Sequence, residues 1–378
     1  MKQKIYLGYD SYKKLYGILE DFSPEKIFLI TGKKSYFLSG AKNLLSEFID
    51  KYNYFRFYDF ETNPKLKDLI NGIKIFGKEK CDIIIGVGGG SVMDIAKSIS
   101  ILATQQGDLE EFIKGKISLR ERQIPSIMIP ITAGTGSEST HFSVIYIDKI
   151  KYSLAHESLL PDFVILDPVF TENLPPYITA CTCMDALCQA IESFWSVNST
   201  IESRTYSKQA IELIISNITK NVNNPDRVSR EKMLIASNLA GKAINIAKTT
   251  AAHAVSYPIT SYFNVPHGHA VALTLPHFIE FNYDISLENL QDSRGVKFVK
   301  DRMNELFDIL EVKTANKAKD KLLSIMKEVN LEKKLSKLRI NRNNIDIIIE
   351  NGFNPQRMKN NPRLVTEKNL RNLLKKII

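Results

Sequence analysis

The sequence predicts an α/β domain built on a mainly parallel sheet, followed by an all-helical domain. Two observations carry this. Through the first half, short β-rich runs alternate with helix-patterned runs, the signature of repeated βα units. After Leu174-Pro175-Pro176 that alternation stops and long helical stretches take over, which sets the boundary between domains 1–174 and 175–378.

Taken in order, the N-terminal residues run straight into a strand-like alternation. Strands are expected at Lys26–Thr31, Tyr54–Tyr58, Asp82–Gly86, Ser126–Ile131 and Phe163–Leu166, each short and rich in β-branched or aromatic residues. Between them, Ala41–Lys51, Leu66–Phe76 and Val92–Leu102 carry apolar residues at helical spacing. In the second half, Ile178–Ser196, Glu202–Lys220 and Arg230–Ala247 read as long helices, the region from Leu287 onward is helical again, and Glu367–Ile378 forms the last helix.

Composition narrows the class. The chain has 378 residues, 44% hydrophobic and 25% charged, inside the ordinary globular range. Its longest apolar runs are far short of the roughly 20 residues of a membrane helix, and no signal-peptide region opens it, so a soluble, unexported, cytoplasmic protein is expected. Cys181, Cys183 and Cys188 crowd together without a zinc or disulfide spacing and read as reduced thiols on a buried helix. The net charge of +9 is scattered, with no run of five basic residues, which argues against nucleic-acid binding and is compatible with an anionic substrate.

Two loops stand out. Gly86-Val-Gly88-Gly89-Gly90-Ser91 joins a strand to a helix, where glycines admit a diphosphate to backbone amides and the helix start offers unpaired N–H groups. Ser91 is expected to cap that helix, with Asp94 reaching back as its capping-box partner. The turn is a relative of the Rossmann dinucleotide fingerprint, not a copy, and a ligand-free strand-to-helix connection is the bland alternative. The second loop, Thr132-Ala-Gly134-Thr135-Gly136-Ser137-Glu138-Ser-Thr140, adds small donors at another strand end.

In the helical half, Asp185 and Gln189 are four apart and share a helix face, while His253 and His267 lie downstream. Such oxygen and imidazole donors suit Fe²⁺ or Zn²⁺ with one position open. Singly, Asp185 also reads as a surface charge and His253 as a satisfied core histidine.

Together, Gly88-Gly-Gly-Ser91 with Asp94 and Lys97, the loop Thr132–Glu138, Leu160-Pro-Asp162…Asp167-Pro168, Met184-Asp185-Ala-Leu…Ala190-Ile-Glu192 and Pro266-His267-Gly268 resemble the iron-containing (group III) alcohol dehydrogenase family over nearly the whole chain. The resemblance implies the dehydroquinate synthase-like fold, with a cleft holding a nicotinamide cofactor and a metal. It implies metal ligands Asp185, His253 and His267, with Gln189 where the family usually has His, and Tyr257 where many members carry another histidine. It further implies cofactor contacts from Gly89, Gly90, Ser91, Asp94, Thr132, Thr135, Thr140, Lys151 and Ile178, and an approach of His141 and Phe142 to nicotinamide or substrate. The implied reaction is metal-assisted reduction of an aldehyde by hydride transfer, with Tyr257, His269 or water as proton donor.

The first strand ends in Thr31-Gly32-Lys33-Lys34, where NAD-preferring members often place an acid on the ribose 2′-OH. Gly32 and Lys33 therefore point to NADPH over NADH. The stretches Tyr177-Ile-Thr-Ala-Cys-Thr182, Gln189-Ala-Ile-Glu-Ser-Phe-Trp195, His253-Ala-Val-Ser-Tyr257-Pro258, His267-Gly-His269 and Asn360-Asn-Pro-Arg363 resemble the phosphonoacetaldehyde reductase branch, which implies a small anionic aldehyde as substrate, and Arg357 and Arg363 are candidate partners for its charge. The alternatives are a reductase of simple aliphatic alcohols, diols or aldehydes, and a non-catalytic nucleotide-binding protein with a decayed metal site. The resemblance leans towards a homodimer.

Overall fold

The computed structural model describes residues 3–148 and 150–378; Met1, Lys2 and Lys149 lie outside them. The chain forms two compact units, Met1–Leu174 and Pro175–Ile378.

The first unit is built on eight strands: β1 (Lys4–Leu7), β2 (Ile27–Thr31), β3 (Tyr54–Phe57), β4 (Ile83–Gly88), β5 (Ser126–Pro130), β6 (Phe142–Ile147), β7 (Ile150–Ala155) and β8 (Phe163–Leu166). Six form a sheet in the order β1-β8-β5-β4-β2-β3, and every pairing in it is parallel. Alternate residues of each central strand feed opposite cores. Phe28, Ile30, Ile84 and Met128 pack on one face, and Ile27, Leu29, Ile83, Ile85, Ile127 and Ile129 on the other. That double burial is why these strands read as continuous apolar runs. From β2 the chain steps outward to β3, then returns to β4 on the far side of β2. The crevice outside the carboxyl ends of β2 and β4 is thus the topological switch point, the usual ligand position in such sheets.

The five expected strands occur, with one informative shift. β4 runs on to Gly88 because Val87 still pairs with Thr31 and Gly88 with Pro130, so the ladder continues up to the glycine turn. The antiparallel hairpin of β6 and β7 was not expected; it turns at Asp148, whose φ is +49°.

The second unit has, among its described residues, only helices as named elements, with one isolated antiparallel bridge between Leu290 and Arg363. Its central helix, Pro176–Trp195, is buried almost continuously from Thr179 and carries Cys181, Cys183 and Cys188 as free thiols. Around it lie Ile201–Asn223 and Arg227–Ala247, each started by a capping box, on Thr200 and Asp226. Ala251–Phe263, His267–Tyr283 and five later helices follow, ending with Glu367–Lys376. No helix among the described residues is long and apolar enough to cross a membrane.

Asp162 anchors the entry to two central strands. It takes a two-pronged ion pair from Arg122 at 2.7 and 2.9 Å and accepts from the Ser126 amide at 2.8 Å, with both side chains nearly buried. Replacing Asp162 by Ala leaves Arg122 charged and unpaired in that setting, so the first unit should lose about 3–5 kcal/mol of stability. Urea unfolding followed at β5 and β8 by hydrogen exchange measures this; a loss under about 1 kcal/mol would show the pair to be effectively solvated.

Candidate active site

In the first unit the glycine turn and the second loop are drawn together by buried charges. The helix after the turn begins at Gly90 with Gly89 as its N-cap, and a Cβ on Gly90 would come 2.8 Å from Thr135 Cγ2. Ser91 does not cap this helix, contrary to expectation. It already lies inside the first turn, and its hydroxyl accepts from the Asn63 amide at 3.1 Å. Asp94 likewise turns away from the cap and accepts from Ser137 Oγ at 2.8 Å. Burial raises its pKa, against the lowering influence of Lys97.

Lys97 has no exposed surface. Its ammonium donates to the carbonyls of Ser137 (2.7 Å), Thr140 (3.3 Å) and Phe142, and to Thr140 Oγ1 at 2.9 Å. Burial lowers its pKa to about 8, against Asp94 and Glu138, which raise it. Helix Gly90–Leu102 therefore fixes the loop that carries Thr135, Thr140, His141 and Phe142. A Cβ on Gly89 would come 3.5 Å from Thr132 Cγ2 and Oγ1. Lys151 lies on β7, and His141 packs edge-on against Phe142 with ring centroids 6.1 Å apart.

At the end of β2, the space a side chain on Gly32 would take is filled by Ser35 Oγ, 2.1 Å from an ideal Cβ. Lys33 and Lys34 are exposed beside it. Arg56, from β3, donates to Thr31 Oγ1 at 2.8 Å and to the Gly32 carbonyl at 3.2 Å, and stacks over Tyr36, Phe37 and Tyr58. Sequence reading missed Arg56, whose only signal is a lone basic residue in an apolar strand.

In the second unit Asp185, His253 and His267 come together, with one ligand atom of each within 4.8 Å of the others. His253 Nε2 is 3.5 Å and His267 Nε2 3.9 Å from Asp185 Oδ1. Gly268 makes this possible, because a Cβ there would lie 1.9 Å from the Cys181 carbonyl oxygen and 2.8 Å from Asp185 Cβ. Only glycine lets the start of helix His267–Tyr283 approach the central helix so closely.

Glu192, one helical turn beyond Gln189, is fully buried. Its carboxylate accepts from Thr250 Oγ1 (2.5 Å) and the Ala252 amide (2.9 Å), and it meets His253 Nδ1. Burial lowers the His253 pKa, but Glu192 and Asp185 outweigh it and raise the value to about 9. With Nδ1 engaged by Glu192, Nε2 faces Asp185, the usual arrangement behind a metal-binding histidine. Glu192 stood in a quoted motif, yet sequence reading gave it no role.

The donor set fits a divalent cation. Besides the clustered carboxylate and imidazoles, Gln189 Oε1 and His253 Nε2 are buried without a hydrogen-bond partner, which a ligated ion would satisfy. Gln189 itself is 4% exposed. Tyr257, 8% exposed, stacks on His267 with centroids 6.1 Å apart. His269 is turned elsewhere: its Nδ1 pairs with Tyr177 Oη at 3.1 Å and its Nε2 with the Glu332 carbonyl at 2.8 Å. Ile178 lies on the first turn of the central helix, 38% exposed. Arg363 is also committed away from the cluster, to the Phe281 carbonyl (2.6 Å) and Asp284 (3.1 Å), and it lines a separate hollow with His277 and Lys376.

Two family models together cover the chain: "Iron-containing alcohol dehydrogenase" over residues 2–168, and "Fe-containing alcohol dehydrogenase family, C-terminal" over residues 179–378. The chain belongs to the iron-containing alcohol dehydrogenase family. It is 36% identical over 233 residues to long-chain-alcohol dehydrogenase 1 of Geobacillus thermodenitrificans, a match covering 61% of this chain and 59% of that one. The first curated relatives are thus matched over less than two thirds of their length. Against the NADPH-dependent butanol dehydrogenase of Clostridium saccharobutylicum it is 31% identical, over 83% of this chain and 81% of the relative. Among solved structures, the sulfoacetaldehyde reductase of Bifidobacterium kashiwanohense in complex with NAD+ superposes with a TM-score of 0.88 at 28% identity, covering 99% of this chain and 96% of that one.

Glu192 acts as a positioning residue for His253. Its replacement by Gln should weaken cation binding about 10- to 100-fold. Competition against a fluorescent chelator reads this on the purified protein, and an unchanged affinity would show that His253 is oriented without it.

Proposed function

We propose that this protein is a metal-assisted, NADPH-dependent reductase of a small anionic aldehyde, with phosphonoacetaldehyde, reduced to 2-hydroxyethylphosphonate, as the preferred substrate. The observation that carries the reaction class is the cluster of buried Asp185 and His253 with the partly exposed His267, with Gln189 on the Asp185 helix face and Glu192 behind His253. A divalent cation held by Asp185, His253, His267 and Gln189 would supply Lewis-acid polarisation of the carbonyl oxygen. The nicotinamide would supply the hydride. Glu192 holds the Nδ1 proton of His253, which leaves Nε2 as a donor to the cation. Tyr257, packed on His267, is assigned to deliver the proton to the nascent alcohol, since both nitrogens of His269 are engaged elsewhere.

The glycine turn and second loop, fixed by Lys97, are assigned to the cofactor diphosphate, through Gly89, Gly90 and the small donors around them. The end of β2 supports NADPH. It offers no carboxylate to a ribose 2′-OH, a serine hydroxyl fills the Gly32 position, and Lys33, Lys34 and Arg56 are nearby cations. The butanol dehydrogenase relative uses NADPH, as its name states. The anionic substrate is supported by the net charge of +9 and by similarity to a reductase of sulfoacetaldehyde.

Purified protein loaded with Fe²⁺ or Zn²⁺ should oxidise NADPH with phosphonoacetaldehyde at a higher kcat/KM than with butanal or glycolaldehyde. Equal values would remove the substrate assignment and favour a simple aliphatic reductase, while nucleotide binding without turnover of any aldehyde would favour a decayed site. NADH giving the higher kcat/KM would reverse the cofactor assignment. Tyr257→Phe should lower kcat by about 10²-fold or more while leaving cation affinity near that of the parent; a kcat within about twofold would assign the proton to solvent.

A further inference from the structure

We propose that Thr250 is a positioning residue for the cation site: held from behind by the indole of Trp195, its hydroxyl fixes which oxygen of Glu192 is left to aim His253. This rests on the reading of Asp185, His253 and His267 as ligands of a divalent cation, and adds a layer behind Glu192.

Donor chemistry sets the direction of this chain of hydrogen bonds. Trp195 Nε1 lies 3.0 Å from Thr250 Oγ1, and an indole nitrogen can only donate. The threonine oxygen is therefore an acceptor on that side, and its single hydrogen is left for Glu192 Oε1, 2.5 Å away. The same Oε1 accepts from the Ala252 amide at 2.9 Å and, more weakly, from the His253 amide at 3.4 Å. With those donors gathered on one oxygen, Oε2 is the one that meets His253 Nδ1, which puts Nε2 on the Asp185 side of the ring.

The local role open to Thr250 goes unused. It is the N-cap of helix Ala251–Phe263, a position where a threonine hydroxyl ordinarily accepts from the second or third amide of the helix, yet it makes no such bond. Those two amides, of Ala252 and His253, go to Glu192 instead. A carboxylate from the central helix thus caps this one, and the residue at the cap position acts as a donor to it. A threonine serving only to start the helix would accept from the amides itself.

Trp195, the chain's single tryptophan, is the last residue of the central helix. The next residue, Ser196, donates from its hydroxyl to the Ala247 carbonyl at 2.6 Å, so the end of that helix grips the segment leading to His253 both before and after residues 248 and 249. Trp195, Thr250, Glu192 and His253 are each no more than 3% exposed. In so dry a setting a lost donor leaves its partner unsatisfied, and the disturbance passes along the chain to the imidazole.

Zn²⁺ affinity of the purified protein, read by competition with a fluorescent chelator, should fall about tenfold in Thr250→Val, which keeps the shape and removes the hydroxyl. Thr250→Ala should lose as much, so that a packing fault peculiar to valine does not account for the loss. Thr250→Ser, which keeps the hydroxyl, should bind within about twofold of the parent. Trp195→Phe should weaken binding about threefold or more, and should add nothing in the Thr250→Val background, because the indole acts only through that hydroxyl. Thermal melting of the same proteins separates the alternative. A Thr250 with a structural role alone would lower the melting temperature of Thr250→Val and leave its Zn²⁺ affinity within about twofold of the parent, and that result overturns the proposal. Additive losses in the double variant overturn it as well, since they would give the indole a separate route. A parent that binds no Zn²⁺ removes the cation site and this proposal together, whereas a binding parent with unchanged variants removes the role of Thr250 alone.

Discussion

The buried carboxylate of Glu192 is the constraint on which the helical unit's chemistry depends. A carboxylate with no solvent exposure is costly unless its lone pairs are met. Here they are met by the start of one helix: the Thr250 hydroxyl, the Ala252 amide and the ring of His253. The first N–H groups of a helix have no partners of their own, and its N-terminal dipole favours negative charge. The anchor of helix Ala251–Phe263 to the central helix and the orientation of His253 are therefore one interaction. Asp185, Gln189 and Glu192 follow at helical spacing along one face, so the residue that aims the histidine lies within two turns of those that would share a cation with it.

The α/β unit solves a similar problem with the opposite charge. Lys97 is as deeply buried as Glu192, and its ammonium is satisfied mostly by carbonyl oxygens of a loop about 40 residues further along the chain. A loop with Gly134 and Gly136 has little intrinsic order, and the buried cation supplies it from the helix that follows the glycine turn. In each unit a buried charge whose hydrogen bonds are met fixes one segment relative to another, which is consistent with retaining such groups where apolar packing would serve stability alone.

Periodicity made most of the fold legible. Strands buried on both faces appear as apolar runs, long helices as 3.6-residue patterns, and the Pro175-Pro176 break as a change from one to the other. The hairpin of β6 and β7 escaped notice because its turn, at Asp148, lacks the Asn-Gly or Asp-Gly signal of a tight hairpin. Ser91 and Asp94 show local rules losing to tertiary ones: the sequence offers a capping box, and the fold uses both side chains for longer-range bonds. For Glu192, Lys97 and Arg56 the partners lie 23 to 61 residues away, so no window of sequence separates them from solvated charges. Arg363 and Arg357 were indistinguishable by charge. Geometry commits the first to Asp284 and a backbone carbonyl, away from the cluster.

Gln189 stands where the family resemblance calls for a histidine, and its surroundings define what that departure would change. An amide and a neutral imidazole carry the same charge, so the cluster keeps one carboxylate as its only anionic donor, and its electrostatic attraction for a divalent ion is unaltered. What changes is donor character. An amide oxygen is harder than an imidazole nitrogen, which favours ions that accept oxygen readily over those that prefer nitrogen or sulfur. The amide is also held ready: Oε1 is buried with no hydrogen-bond partner, an arrangement that costs stability in the empty protein and is relieved by an ion. A side chain that had merely lost its role would be expected to find a neighbour or turn to solvent. The buried, unpartnered Oε1 of Gln189 is instead placed as a donor of changed chemistry would be.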